Sequence, residues 1–305
     1  MIKLHPSEVK IRTMTITCKT SNTLKYEYVC KTLDTSKEIK SIEYAKDGSI
    51  HVKGEKKPKK KKKDKYGNIK KPQLFFNQIT IEVILDDDKI VNCKVFTNGM
   101  IQMTGCRNVT DAEDASNIIV NSIKKIKGYE NKNDVTISDY SIKMINSNFN
   151  IGDYKIDRYK LYEILNTKYR YMLSCFNPDK YPGVKIYYKY YQNEDMYNWN
   201  SYQISEWLHD TDLAICIPIF NKHNIDGNKL IKLCDKDLIN MGIENFEIRD
   251  KFKKLMNNKE IIKKITLLIF RTGQIIITGA NKINQLDIIY KFIIDLLENF
   301  PKILL

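Results

Sequence analysis

Two stretches of this chain set an aromatic ring, a turn glycine and a threonine at the same spacing. Val95-Phe96-Thr97-Asn98-Gly99-Met100-Ile101-Gln102-Met103-Thr104-Gly105 reappears as Ile269-Phe270-Arg271-Thr272-Gly273-Gln274-Ile275-Ile276-Ile277-Thr278-Gly279. Each copy reads as a strand, a tight turn whose glycine takes the positive φ that other residues resist, and a second strand. One such hairpin is ordinary scaffold. Two in the same register, each followed by an apolar run at helical spacing, are an internal repeat. The chemistry on offer is contact by rings and hydroxyls rather than bond making. His5, His51, His209 and His223 are scattered, no nucleophile and base share a pattern, no metal-ligand spacing occurs, and the glycines form no phosphate-cradling loop. Glu82 and Asp157 read as surface charges of a strand and a helix, and no cofactor is called for.

The elements around the hairpins follow one order twice. Lys10 to Cys18 alternates strictly, with Met14, Ile16 and Cys18 on one face and Thr13, Thr15 and Thr17 on the other, which predicts a strand with one face in a core. A short helix is expected over Leu24 to Leu33, a small hairpin about Asp47-Gly48, and a strand over Leu74 to Leu85. Ala112 to Ile126 has Ala115, Ile118, Ile119, Ser122, Ile123 and Ile126 at helical spacing, one buried stripe. Tyr140 to Ile151 begins the order again, with Ile145, Phe149 and Ile151 inward and Met144, Asn146, Asn148 and Asn150 outward. Ile156 to Leu165 gives the short helix. Cys175 to Tyr188 gives a Pro-containing turn opening into a strand that carries Lys185 and Tyr187 on the face away from Val184 and Ile186. The second hairpin and a helix through Leu286, Ile289, Tyr290, Ile293, Leu296 and Leu297 close the second half.

Two segments stand outside this order. Residues 54–72 are a lysine-dense tract, with Lys59, Lys60, Lys61, Lys62 and Lys63 in succession, whose like charges cannot pack together. It reads either as a solubilising or nuclear-targeting tract or as a loop that grasps phosphates with strong salt dependence. Trp199 to Met256 is helical in pattern, holds both tryptophans and falls between two strands that are neighbours in the first half, so it reads as a domain inserted at a hairpin tip.

With 305 residues, 42% of them hydrophobic, the chain has material for two or three cores and is not a disordered polymer. There are 51 Lys and Arg against 37 Asp and Glu, a net +14 with an isoelectric point near 9.2, which points to a polyanionic partner, nucleic acid first. Heavy use of Lys, Ile, Asn and Tyr, as in chains from AT-rich genomes, accounts for part of that charge. The seven cysteines show neither CxxC pairs nor even spacing and are expected as small buried residues in a reducing compartment. Met1 is followed by no positive-then-apolar leader, and no apolar run approaches the ~20 residues needed to span a bilayer. A soluble intracellular protein is expected.

The two copies of strand, short helix, Phe-containing strands, hairpin ending Thr-Gly and long helix resemble the direct repeats of the TATA-binding protein family. The resemblance runs over residues 9–128, and over 139–191 with 263–300. It is strongest at Val95 to Gly105, Leu267 to Ala280 and Asn177-Pro178-Asp179-Lys180-Tyr181-Pro182-Gly183. It implies an α+β saddle: a curved antiparallel sheet whose concave face sits on a widened minor groove of double-stranded DNA, with helices on the convex face and apolar wedges that kink the duplex. The family's wedge pairs carry over to Phe76 and Phe96 in the first repeat and to Tyr181 and Phe270 in the second, with Phe75 a rival to Phe76. The groove-reading threonines carry over to Thr104 and Thr278. An aromatic beside a turn Gly or Pro sits at the edge of a sheet, where it can enter a base step; each ring by itself is equally well explained by core packing.

The departures are specific. Thr13 and Thr15 in one repeat, and Met144 and Asn146 in the other, stand where the family usually has Asn and Val. Gln102 replaces an apolar residue that Ile276 keeps, and Tyr181 adds a hydroxyl that needs solvent or a partner. Minor-groove readout already separates little beyond A·T from G·C, so these changes argue for AT preference rather than strict TATA recognition. Asp179 keeps an acidic residue in the loop by which the family meets an initiation factor, while Asn177 and Lys180 change its neighbours. The lysine tract falls in the first repeat's counterpart of that loop, and Lys185 follows it in the second.

The insertion, residues 197–258, resembles a sterile alpha motif domain. Trp199, Ile204-Ser205-Glu206-Trp207-Leu208, Phe220, Ile225-Asp226-Gly227-Asn228-Lys229-Leu230, Leu233, Met241-Gly242-Ile243 and Ile248-Arg249 carry the pattern. That implies a five-helix bundle that binds a protein partner or itself. Together the resemblances imply a non-enzymatic transcription initiation factor that bends DNA and recruits general initiation factors and the RNA polymerase machinery, without a membrane. The alternative is a scaffold that reuses both modules for protein contacts. The composition would suit a large DNA virus or a divergent protist, placing the chain in a nucleus, a viral factory or a virion.

Overall fold

The computed structural model describes residues 3–23, 25–55, 74–86, 88–126, 135–170, 172–191, 194–257 and 262–305. Residues 56–72 of the expected lysine loop, Lys59 to Lys63 included, lie outside the described residues, as does Leu24 at the expected start of the first helix.

The contacts divide the chain into two compact units, residues 11–146 and residues 1–10 with 147–305. The boundary falls inside a strand, so the sequence repeats and the compact units do not coincide at their edges.

In the unit of residues 11–146 the elements run β1 (Lys10–Thr20), α1 (Tyr26–Thr32), β2 (Ile39–Lys46), β3 (Ser49–Gly54), β4 (Gln78–Ile84), β5 (Ile90–Phe96), β6 (Met100–Cys106), α2 (Val109–Lys124) and most of β7 (Ile137–Asn150). The spatial order is β3-β2-β4-β5-β6-β1, each neighbouring pair antiparallel. Alternation puts Ile16, Ile42, Ile81, Val83, Val91, Cys93, Ile101 and Met103 on a face fully removed from water, where α2 adds Ala115, Ile119 and Ile123. The helix is turned slightly from the expected stripe: Ile118 and Ser122 are half-buried, and Ser116 and Val120 point inward instead. Asn108 caps α2 by accepting from the Asp111 N–H, 2.8 Å.

The expected strand over Leu74 to Leu85 is shorter than its pattern. Phe76 and Asn77 form a turn, and β4 begins only at Gln78. The hairpin about Asp47-Gly48 forms as expected, both residues taking positive φ between β2 and β3.

The other unit holds the end of β7, α3 (Arg158–Lys168), β8 (Leu173–Cys175), β9 (Val184–Tyr191), α4 (Ser201–Asp210), α5 (Ile217–Lys222), α6 (Gly227–Leu230), α7 (Asp235–Asn240), α8 (Phe246–Met256), β10 (Ile262–Ile269), β11 (Gln274–Ala280) and α9 (Ile283–Asn299). Its strand order β11-β10-β9-β8 repeats that of β6, β5, β4 and β2, while β3 has no counterpart among the described residues. Ile186, Ile265, Leu267, Ile275 and Ile277 are buried against α9 residues Ile289, Ile293 and Leu297.

Helices α4 to α8 follow the end of β9 and return the chain to β10, whose Ile262 pairs with Tyr191. They enclose their own core around Ile204, Leu208, Phe220, Leu230, Leu238 and Phe252, with Trp199 and Trp207 packed against it. Asn200 with Gln203 forms a capping box at α4, and Asn245 caps α8. Arg249 is buried, donating to Asp235 Oδ1 at 3.0 Å and to the Ile243 carbonyl at 3.0 Å, and so closes the bundle across α7 and α8.

Candidate nucleic-acid interface

The repeated hairpin keeps one geometry in both units. Gly99 and Gly273 sit at φ 83° and 77°, and each donates its N–H to the carbonyl of the preceding aromatic, Phe96 at 3.0 Å and Phe270 at 3.1 Å. Six residues on, Gly105 and Gly279 take φ 98° and 99°. A methyl group at either would stand 3.0 Å from the Ile90 carbonyl oxygen or 3.1 Å from that of Lys264. The Thr-Gly ending is thus a backbone requirement met twice, and it fixes Thr104 and Thr278 on the same side of their strands.

That side is the face the helices leave open. In the first unit, register sets Thr15 beside Thr104 and Thr17 beside Gln102, then Thr104 beside Asn92 and Gln102 beside Lys94. Phe96 follows Lys94 by two residues and shares its face. Thr104 Oγ1 donates to the Asn92 carbonyl, 3.4 Å. Thr13 and Asn146 meet directly, the amide Nδ2 donating to the hydroxyl at 3.0 Å. Met144 shares the face of Asn146 by alternation, both half-buried.

In the second unit the open face carries Lys185 beside Leu268, Leu268 beside Ile276, and Thr266 beside Thr278. Tyr181 and Phe270 form a pair, ring centroids 5.9 Å apart and planes inclined 58°, with the Lys185 ammonium 5.8 Å from the Tyr181 centroid. The loop that delivers Tyr181 is a tight turn in which the Asn177 carbonyl accepts from Lys180 N at 3.1 Å and Tyr181 N at 2.9 Å. Arg158 at the start of α3 donates to the Pro182 carbonyl and lies 5.3 Å from the Phe176 ring centroid, tying the loop down. Asn177, Asp179 and Lys180 are exposed on it.

Phe76 stands apart from this arrangement. It is 55% exposed and borders a cleft with Tyr26 of α1 and Tyr44 of β2, side chains on the helix-bearing side of the sheet. Among the described residues no ring contact joins it to Phe96 in the way Tyr181 joins Phe270. The turn at Phe76-Asn77 breaks strand alternation, so a face assigned by counting back from β4 does not hold there; Phe75 is exposed as well.

Alternation alone could have found Asn92 and Lys94, four and two residues before Phe96. Lys189 and Lys264 could not be found so, because the bundle separates them in sequence and only register sets them opposite each other. Like charges directly opposed in an antiparallel pair are unfavourable. Burial, and then the neighbouring Lys264 charge, hold the Lys189 ammonium below its usual titration range. The strands β1, β5, β6, β9, β10 and β11 contain no Asp or Glu; acidic groups on the open face lie farther out, at Glu82 and Glu43.

Cys18, Cys30, Cys93, Cys106 and Cys216 are buried as expected, whereas Cys175 is exposed and Cys234 half-buried. Burial raises the thiols of Cys18 and Cys106 to about 11 and pushes that of Cys93 up as well, so they stay protonated at neutral pH. Among the described residues no group of His, Cys, Asp and Glu could hold a metal ion, and no helix is long and apolar enough to cross a membrane.

The family model "SAM domain (Sterile alpha motif)" matches residues 196–258, and "Transcription factor TFIID (or TATA-binding protein, TBP)" matches residues 239–300. A protein of Acanthamoeba polyphaga mimivirus described as TATA-box-binding protein-like is 28% identical over 323 aligned positions, covering 98% of this chain and 67% of that protein. The solved structure of Methanococcus jannaschii TBP is 14% identical, covers 96% of this chain and 99% of that one, and superposes with a TM-score of 0.49. The chain is thus similar over nearly its whole length to a viral protein described as TATA-box-binding protein-like, and residues 196–258 match the sterile alpha motif model.

Proposed function

We propose that the open faces of the two repeats bind AT-rich duplex DNA through its minor groove and bend it, and that the chain acts without catalysis as a transcription initiation factor. The observation that carries the reading is chemical. Two matching sheet faces present Thr, Asn, Gln and aromatic side chains, and their strands β1, β5, β6, β9, β10 and β11 carry no carboxylate, in a chain of net +14. Phosphates repel carboxylates and attract the lysines of such a face, while hydroxyls and amides suit the acceptor-rich floor of an A·T minor groove. Phe96, Phe270 and Tyr181 are the candidate wedges. Thr13, Thr15, Thr104, Met144, Asn146, Gln102, Ile276 and Thr278 line the groove floor, and Lys185 with the lysine tract meets phosphates.

The exposed Asn177, Asp179 and Lys180 would receive an initiation factor, and the inserted bundle would supply a protein contact or self-association. The viral character of the mimivirus relative suits action in a viral factory or a host nucleus. The test is binding and energy-transfer bending of a doubly labelled AT-rich duplex at fixed salt. Phe96→Ala/Phe270→Ala should abolish the bend and weaken binding at least about tenfold, since unstacking wedges account for a few kcal/mol per step. Equal affinity and equal bend in the double variant would overturn the proposal.

A further inference from the structure

The inserted bundle and the second repeat, within one compact unit, enclose a cleft of about 370 Å³. One wall is aromatic. Tyr188 of β9 lies 5.3 Å from Phe292 of α9, and Tyr169, just past α3, lies 5.9 Å from the same ring at 80°. The bundle contributes Ile231 and Tyr197, and buried Leu296 and Met172 extend the apolar surface. At its rim stand Lys232, from the segment after α6, and Lys291 of α9, against the one carboxylate of Asp295, while strand alternation sends the Lys189 side chain beside Tyr188 to the open face of the sheet. Lys232, Lys291 and Asp295 are exposed, and Ile288 beside them leaves 38% of its surface open.

We propose that this cleft is a docking site for an acidic peptide segment carrying a large apolar side chain, held between the inserted bundle and α9. Two exposed cations against one anion complement carboxylates, and an apolar, aromatic interior beside them takes a Leu or Phe side chain. A nucleotide fits less well. The ring pairs that share Phe292 are inclined 56° and 80°, so they offer no parallel stacking platform, and the two lysines come from separate elements rather than from one phosphate cradle. The site lies in a groove that exists only because the bundle was inserted here, so it stands independently of the DNA-binding reading.

The experiment uses the full chain and a fluorescein-labelled peptide alternating aspartate with leucine and phenylalanine, read by anisotropy. A peptide with lysine for aspartate and adenosine monophosphate are the competitors. Saturable binding is expected, weakened by salt, about tenfold weaker in Lys232→Glu/Lys291→Glu and similarly weaker in Ile288→Asp. A control double, Lys236→Glu/Lys254→Glu, places the same charge change off the cleft and should leave peptide affinity near the parent's. Duplex DNA affinity should be the same in the two double variants. Equal peptide affinity in the cleft and control doubles, equal binding of the lysine peptide, or displacement by adenosine monophosphate would overturn the proposal, whatever the DNA measurement shows.

Discussion

Gly183 lies against both rings of the second-repeat aromatic pair. A methyl group there would stand 3.0 Å from Tyr181 Cε1 and 3.2 Å from Phe270 Cε1. The glycine therefore leaves the space in which Tyr181 and Phe270 approach each other. Gly183→Ala should part the rings by a few tenths of an ångström and remove part of the roughly 0.5–1.5 kcal/mol such a pair contributes. The expected readout is a smaller DNA bend by energy transfer with thermal stability almost unchanged. An unaltered bend would show that the two rings do not act together.

The Asn146 to Thr13 hydrogen bond of 3.0 Å makes a second prediction. Through it the amide donor is aimed at a fixed point on the open face. Asn146→Asp keeps the shape, removes both N–H donors and adds a negative charge facing the groove. Discrimination between A·T and G·C competitors should fall by about tenfold at fixed salt, in line with the roughly 1–3 kcal/mol of a good base contact. Thr13→Val should lower discrimination less, because Asn146 keeps its donors and loses only its anchor. Competition titrations on duplexes that differ at the central step separate the two variants.

Much of this was legible in the sequence, for a physical reason: strand alternation and turn glycines are local signals. The Thr face of β1, the Asn face of β7 and both hairpins follow from period-two patterning, and Gly105 and Gly279 betray themselves by duplication. Phe76 shows where local signals stop. It lies in a turn before β4, so its direction depends on how the chain enters the sheet and not on its place in a pattern. The rotation of α2 is also tertiary, since Ser116 turns inward to meet the Tyr140 hydroxyl at 2.7 Å. Pairings such as Lys189 with Lys264 need the register of two strands that the inserted bundle holds far apart in sequence.

The ion pair between Lys89 and Asp111 joins the start of β5 to the first turn of α2 at 2.5 Å, both side chains nearly out of solvent. Burial works against the Asp111 charge, but the hydrogen bonds from Lys89 and from the Arg107 N–H outweigh it and leave the carboxyl below its usual value of 3.8. With a folded-state value depressed, the stabilisation is complete above the unfolded value and is lost as pH falls through the folded one. Asp111→Asn should therefore cost about 2 kcal/mol at pH 7, and the difference from the parent should shrink below pH 4. Hydrogen exchange of the α2 amides at the two pH values checks it; a constant difference would contradict the assignment.

Arg249 is the equivalent brace in the inserted bundle, its guanidinium bonded to Asp235 and to the carbonyls of Ile243 and Glu244. Arg249→Ala strands two carbonyls and should destabilise the bundle by about 2–4 kcal/mol. Arg249→Lys cannot reproduce the fork and should restore little. Because the bundle has its own core, bending of duplex DNA by the full chain should survive when near-ultraviolet dichroism and fluorescence of Trp199 and Trp207 report its unfolding. Loss of bending in parallel with the tryptophan signal would mean that the second repeat needs the bundle to hold its strands.

Lys264 gives the last test, because its effects on folding and on binding have opposite signs. It stands directly across from Lys189 on the open face of β9 and β10. Lys264→Gln removes a like-charge pair, so the second unit should gain a few tenths of a kcal/mol and Lys189 should titrate closer to its ordinary range. If Lys264 also meets a phosphate, the same change should weaken DNA binding and reduce the slope of log affinity against log salt by about 0.9. A residue retained only for packing would move stability without moving that slope. The paired outcome, a steadier fold that holds DNA less firmly, is expected where electrostatic repulsion in the free protein is relieved by a bound polyanion. Urea titrations and salt-dependent binding on the same variant measure both halves.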